Sequence, residues 1–152
     1  MSQHEQATFT QGGDVIEHTV NYLRRIADVI DDVRQQDNSE RVGMLLDCAE
    51  LEQRELIGAL ERLLDDAPQK VMETYAQYTV ELPAEIQAPD VQSTLDLIQW
   101  LSRYNSAVHE TFTELAETAD GGEITEVFGG IAEQIQAHEQ RLSKEYQRLE
   151  DL

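Results

Sequence analysis

Apolar residues recur along this chain at steps of three and four in four long stretches, the spacing of amphipathic helices. The last stretch passes through Ile124, Phe128, Ile131, Ile135, His138, Leu142 and Leu149, so one histidine sits in an otherwise apolar seam. The first starts at Asp14, read as an N-cap, carries Ile16, Thr19, Val20, Leu23, Ile26, Ala27, Ile30 and Val33, and ends near Gln36. After the turn Asp37-Asn38-Ser39, with Ser39 as cap, the second runs to about Asp65 through Val42, Leu45, Ala49, Glu52, Leu56, Ala59 and Leu63. Here a glutamate occupies the seam. Asp90 caps the third, which reads Val91, Thr94, Ile98, Leu101, Asn105, Val108, Phe112, Leu115 and Ala119, and Asp120-Gly121-Gly122 is a tight stop before the fourth, from Glu123 to about Glu150.

Helices this long cannot bury their stripes alone, and four of similar length supply partners for one another. The expectation is an all-α four-helix bundle in one domain over 14–152, preceded by a flexible N-terminal arm over 1–13. Residues 66–89 form the long connection between the second and third helices. Gln69 to Tyr78 is predicted as a short helix with Val71, Met72, Tyr75 and Tyr78 inward, and the rest is extended because Pro83 and Pro89 favour that. At about 3.3 Å per extended residue and about 1.5 Å per helical one, this segment crosses the full length of a bundle.

Composition suits such a fold, with 40% apolar and 28% charged residues and only 3 prolines in 152 residues. The formal charge of −20 changes the functional picture: nucleic acid and anionic membrane are repelled by it, since phosphate neutralisation needs clustered Lys and Arg. Two lysines, Lys70 and Lys144, stand among the 11 basic residues, a balance expected of a protein kept soluble at high salt. No uncharged run approaches the ~20 residues of a membrane helix, and the first residues show no signal-peptide pattern, so a cytoplasmic protein is expected. Cys48, the single cysteine, reads as an inert packed thiol. No Walker lysine follows Gly121-Gly122 or Gly129-Gly130, and no nucleophile, base and orienting acid form a pattern. The aromatics Tyr75, Tyr78, Trp100 and Tyr104 cluster near the connection as core packing, a dimer face or a flat-ligand pocket.

The two halves resemble each other weakly: aligning Ala49 with Ala132 places Glu50 on Glu133, Glu52 on Ile135 and Glu55 on His138. With this repeat, the helix order and the segment Phe128-Gly-Gly-Ile-Ala-Glu-Gln-Ile-Gln-Ala-His138, the chain resembles the ferritin-like family, rubrerythrin-like members most. The resemblance covers about residues 14–150 and implies an up-down-down-up bundle with a long crossover. It also implies a di-iron or di-manganese layer built from a glutamate on the first and third helices and Glu-x-x-His on the second and fourth. This chain departs from that set. The second helix offers Glu52-Gln-Arg-Glu55 and the fourth Ile135-Gln-Ala-His138, while the first and third supply no seam glutamate, Glu110 and Glu17 being off the face.

Glu52, Glu55, Asn105, His109 and His138 are expected at similar depth, and their types admit two readings. In one, Glu52, Glu55, His109 and His138 hold a single Fe, Mn or Zn ion for an oxidoreductase or metal-handling protein. In the other, they form a structural polar layer without any cofactor, in a non-catalytic bundle acting through self-association, as a homodimer, or through a protein partner. His18 reads as a surface or interface residue, and His4 lies in the arm.

Overall fold

The computed structural model of the chain describes residues 4–36, 38–119 and 122–152. Asp37 and the Asp120-Gly121 pair of the two predicted turns lie outside the described residues, as do residues 1–3 of the arm and the side chains of His4, Glu5 and Tyr75. The described chain is mostly helical, with a small two-stranded sheet. Its elements are β1 (His4–Gln11), α1 (Gly12–Arg34), α2 (Glu40–Asp66), α3 (Gln69–Met72), β2 (Tyr75–Pro83), α4 (Thr94–Thr118) and α5 (Gly122–Glu150).

Two expectations are corrected by the sheet. The arm over 1–13, expected to carry no regular structure, forms β1 from His4 and then enters α1 at Gly12. The helix expected over Gln69 to Tyr78 ends at Met72, and β2 pairs antiparallel with β1 from His4↔Pro83 to Phe9↔Tyr78, with a register shift before Gln11↔Tyr75. The physical reason is a coincidence of periods. Val71, Met72, Tyr75 and Tyr78 fit a helical face, and Val71 and Met72 are buried in the short helix, but Tyr78, Val80 and Leu82 also alternate with exposed Gln77, Thr79 and Glu81, and from Tyr78 onward the buried residues follow that alternation.

Local signals set the helix ends. Ser39 caps α2 as expected, its hydroxyl accepting from the Val42 N–H at 3.2 Å. Ser93, rather than Asp90, caps α4: its hydroxyl accepts from the Asp96 N–H, and the Asp96 carboxylate reaches back to the Gln92 N–H. Asp14 lies inside the first turn of α1, where its charge faces the helix N-terminus, while the cap position is Gln11 without a side-chain bond. Gly122 opens α5 at φ 76, a left-handed conformation that glycine adopts without strain. Gly12 lets Ile124 pack close, since a Cβ there would lie 2.5 Å from the Ile124 Cδ1 and would turn that side-chain end aside.

The long helices pack α1 against α2, α2 against α5 and α4 against α5, while β2 lies over α4 and α1. The predicted seam of α5 is buried as read, with Ala132 added. In α2 the buried stripe drifts: Leu46, Gln53 and Leu60 are inside, while Ala59 and Leu63, expected in the seam, are half-buried. One end of the molecule gathers the end of α1, the start of α2, the start of α4 and the end of α5. Gln36 donates to the Pro89 carbonyl, Arg41 to the Leu152 carbonyl, and Thr94 to the Glu150 carboxylate. The aromatics hold the connecting segment onto α4. Trp100 Nε1 donates to the Gln87 carbonyl at 2.8 Å, Tyr104 donates to the Glu85 carbonyl, and Tyr78 packs edge-on against Phe128 at 5.4 Å. Among the described residues no helix is long and apolar enough to cross a membrane.

Candidate functional site

The polar residues that interrupt the seams, Glu52, Asn105 and His138, lie near the midpoints of α2, α4 and α5 and are buried. Ser106 donates to the Glu139 carboxylate at 3.1 Å, one residue beyond Asn105 on α4 and His138 on α5, so those two share a level of the interface. Both are 1% exposed, and neither the Asn105 amide nor either His138 nitrogen has a hydrogen-bond partner. Burial, with a smaller contribution from the nearby Arg141 guanidinium, lowers the His138 pKa to about 4. The imidazole is therefore neutral at pH 7. Unpartnered polar atoms in a core cost about 1–3 kcal/mol each, so this level is held together by the surrounding packing.

Glu52 is resolved differently. Its buried carboxylate accepts from Arg141 Nε with both oxygens, the longer contact at 2.8 Å, and the Arg141 pKa is raised chiefly by that hydrogen bond. Because Arg141 remains about half exposed, the pair lies at the edge of the core, where desolvation is partial. Next to it, Gln53 is buried and donates to the Leu23 carbonyl at 3.1 Å, tying α2 to α1. Cys48 is half-buried, and burial, then the Glu145 and Glu52 carboxylates, push its thiol up to about 11.

The four candidate metal ligands are thus only partly brought together. Glu52 and His138 both border Arg141, and Glu55, though exposed, lines the α2–α5 cleft with them and acts electrostatically on Arg141, whereas His109 is half-buried on α4 near Glu139. Burial raises the Glu139 pKa in spite of the Ser106 bond and His109. Among the described residues no three His, Cys, Asp or Glu side chains converge to hold a metal ion. The residues present do not fit a dinuclear centre. The Glu52 oxygens are engaged by a guanidinium, and buried Ile135 stands where a bridging carboxylate is required.

Sequence reasoning overlooked Arg141. It lies three residues after His138, on the same flank of the helix, and a seam glutamate calls for a cation within reach. It also overlooked Tyr22, whose buried hydroxyl has no hydrogen-bond partner and whose pKa is raised, chiefly by burial. Flanking the polar level, α2 and α5 part to leave two adjoining clefts of about 410 and 420 Å3, which share Ala59, Arg62 and Gln134. Set against protein-family models, curated proteins and solved structures, the chain matches none.

Proposed function

We propose that this chain is a non-catalytic helical protein that works by association, as a homodimer, and that its bundle is of the ferritin-like up-down-down-up kind with a structural polar layer at the level where that family keeps its metals. The gathering of helix ends supports the topology: α1 and α5 run toward the shared end, α2 and α4 run away from it, and β2 carries the crossover. One observation carries the functional reading. The Glu52 carboxylate, the best candidate bridging ligand, is given over to Arg141 with both oxygens.

Association of so acidic a chain requires its repulsion to be screened, so the dimer forms at high ionic strength, in the cytoplasm of a cell rich in salt. The same charge disfavours nucleic acid as a partner. Light scattering across a potassium chloride series, with elemental analysis of protein purified without chelator, tests both parts. A dimer at high salt holding no stoichiometric transition metal, and a melting temperature indifferent to Fe(II), Mn(II) and Zn(II), are the expected results. A stoichiometric metal with ferroxidase or peroxidase activity lost in His138→Ala overturns the reading.

A further inference from the structure

Where α2 and α5 face each other at the surface, Ala59, Gly130 and Ala137 leave room between the larger side chains. The two clefts there form one trough, because Ala59, Arg62 and Gln134 line both. From Glu55 to Asp66 it runs about 16 Å along α2 at 1.5 Å per residue. Its volume falls in the range of small-molecule sites, about 300–1,000 Å3. A Cβ built on Gly130 would meet nothing within 4 Å, so the space above the trough is open.

The two parts of the trough differ in chemistry. The part nearer the chain's middle is lined by Arg62, Arg141 and the buried, unpartnered His138. Arg62 forms no ion pair among the described residues, in a chain of net charge −20. Arg141 binds Glu52 through Nε alone, which leaves its two terminal amino groups for another acceptor. The other part is walled by Leu63, Val127 and Ile131 over Gly130, an apolar channel closed at its end by Asp66 and Glu126.

We infer that this trough binds a small amphiphilic monocarboxylate, its acid group held between Arg62 and Arg141 beside His138 and its aliphatic chain lying over Gly130 against Leu63, Val127 and Ile131. A guanidinium offers a planar fork of donors that matches a carboxylate. A polyanion is disfavoured, because Glu55, Asp66 and Glu126 stand on the rims of the same trough. A single negative charge with an apolar body satisfies the arginines without confronting three carboxylates. The trough borders the polar layer through His138 and Arg141, but Arg62 and Gly130 lie outside that layer, so the variants that test the assignment leave the Glu52–Arg141 pair of the association reading in place.

The probe is octanoate, below its micelle-forming concentration, titrated calorimetrically into the full chain at pH 7, with octanol and inorganic phosphate as comparisons. Octanoate binds and raises the melting temperature, octanol and phosphate bind far more weakly, and Arg62→Gln weakens octanoate by about tenfold or more through loss of a charge-assisted hydrogen bond. Gly130→Leu, which fills open space on a helix, abolishes binding while the circular dichroism spectrum is kept; Arg62→Gln, at an exposed position, gives an independent reading. The assignment is overturned by an absence of octanoate binding at about 5 mM, where even a weak millimolar site would register. It is equally overturned by unchanged affinity in Arg62→Gln, by phosphate binding as tightly as octanoate, or by dissociation of a dimer in Gly130→Leu, which would give the trough to a second copy of the chain.

Discussion

Acidification acts on His138 through a difference between the folded and unfolded chain. Unfolded, the imidazole takes up its proton near pH 6.5; folded, it resists until about pH 4, because burial and Arg141 oppose the charge. Above pH 6.5 neither state is protonated and the residue adds no pH dependence. Between the two values the unfolded chain binds the proton and the folded chain does not, so stability is lost as pH falls. At about 1.4 kcal/mol per unit, the gap of about 2.5 units amounts to a loss of about 3 kcal/mol, a large fraction of a domain's stability. Two effects oppose it: relief of repulsion as the acidic surface is neutralised, and protonation of Glu139, whose raised pKa makes the fold favour the proton.

The variant His138→Leu separates these effects, since it keeps the carboxylates and continues the seam of Ile135 and Leu142. Urea unfolding of both proteins at pH 7, 6, 5 and 4.5, in constant high salt, gives the difference at each pH. At pH 7 the variant is the more stable by about 1–2 kcal/mol, because two unpartnered buried nitrogens are removed. As pH falls toward 4.5 its advantage widens by a further 2–3 kcal/mol or about that. A difference that stays flat from pH 7 to 4.5, or a variant less stable than the parent at pH 7, refutes the picture of a buried, neutral, unbonded imidazole.

Arg141→Ala strands the buried Glu52 carboxylate and costs about 2 kcal/mol in urea unfolding, a figure reduced from that of a fully buried pair because Arg141 is half exposed; Glu52→Gln, which leaves no buried charge, costs less. Ser93→Ala removes the α4 cap and lowers stability by about 1 kcal/mol, while Asp90→Ala changes it by less than about half of that, so equal effects would return the cap to Asp90. At pH 8 the Cys48 thiol, held at about 11, reacts with a disulfide reagent roughly a hundredfold more slowly than after unfolding in urea, and equal rates would contradict its burial.

The helices were legible because their signals are local. The α5 seam from Ile124 to Leu149 was readable residue by residue, and Ser39 announced the start of α2. The candidate site was legible only in part. Asn105, Glu52 and His138 stood out as polar residues in apolar seams and are buried as that implies, but Glu55 and His109 were placed inward by depth alone and lie further out. The α2 stripe drifted toward Leu60 because α1 takes up that side of the helix, leaving Ala59 to the open trough. Gln69 to Tyr78 satisfied two periods at once, and nothing within the segment decides between them.

The sequence by itself determined where the long helices run, which faces are apolar and that a few hydrophilic side chains interrupt them, because periodicity and caps depend on neighbours within a turn or two. Tertiary structure alone decided the rest. The pairing of β1 with β2 joins segments far apart in the chain, Arg141 reaches Glu52 from another helix, and the parting of α2 and α5 is a matter of how side chains of two helices meet. Those outcomes depend on distances between elements, which no local pattern records.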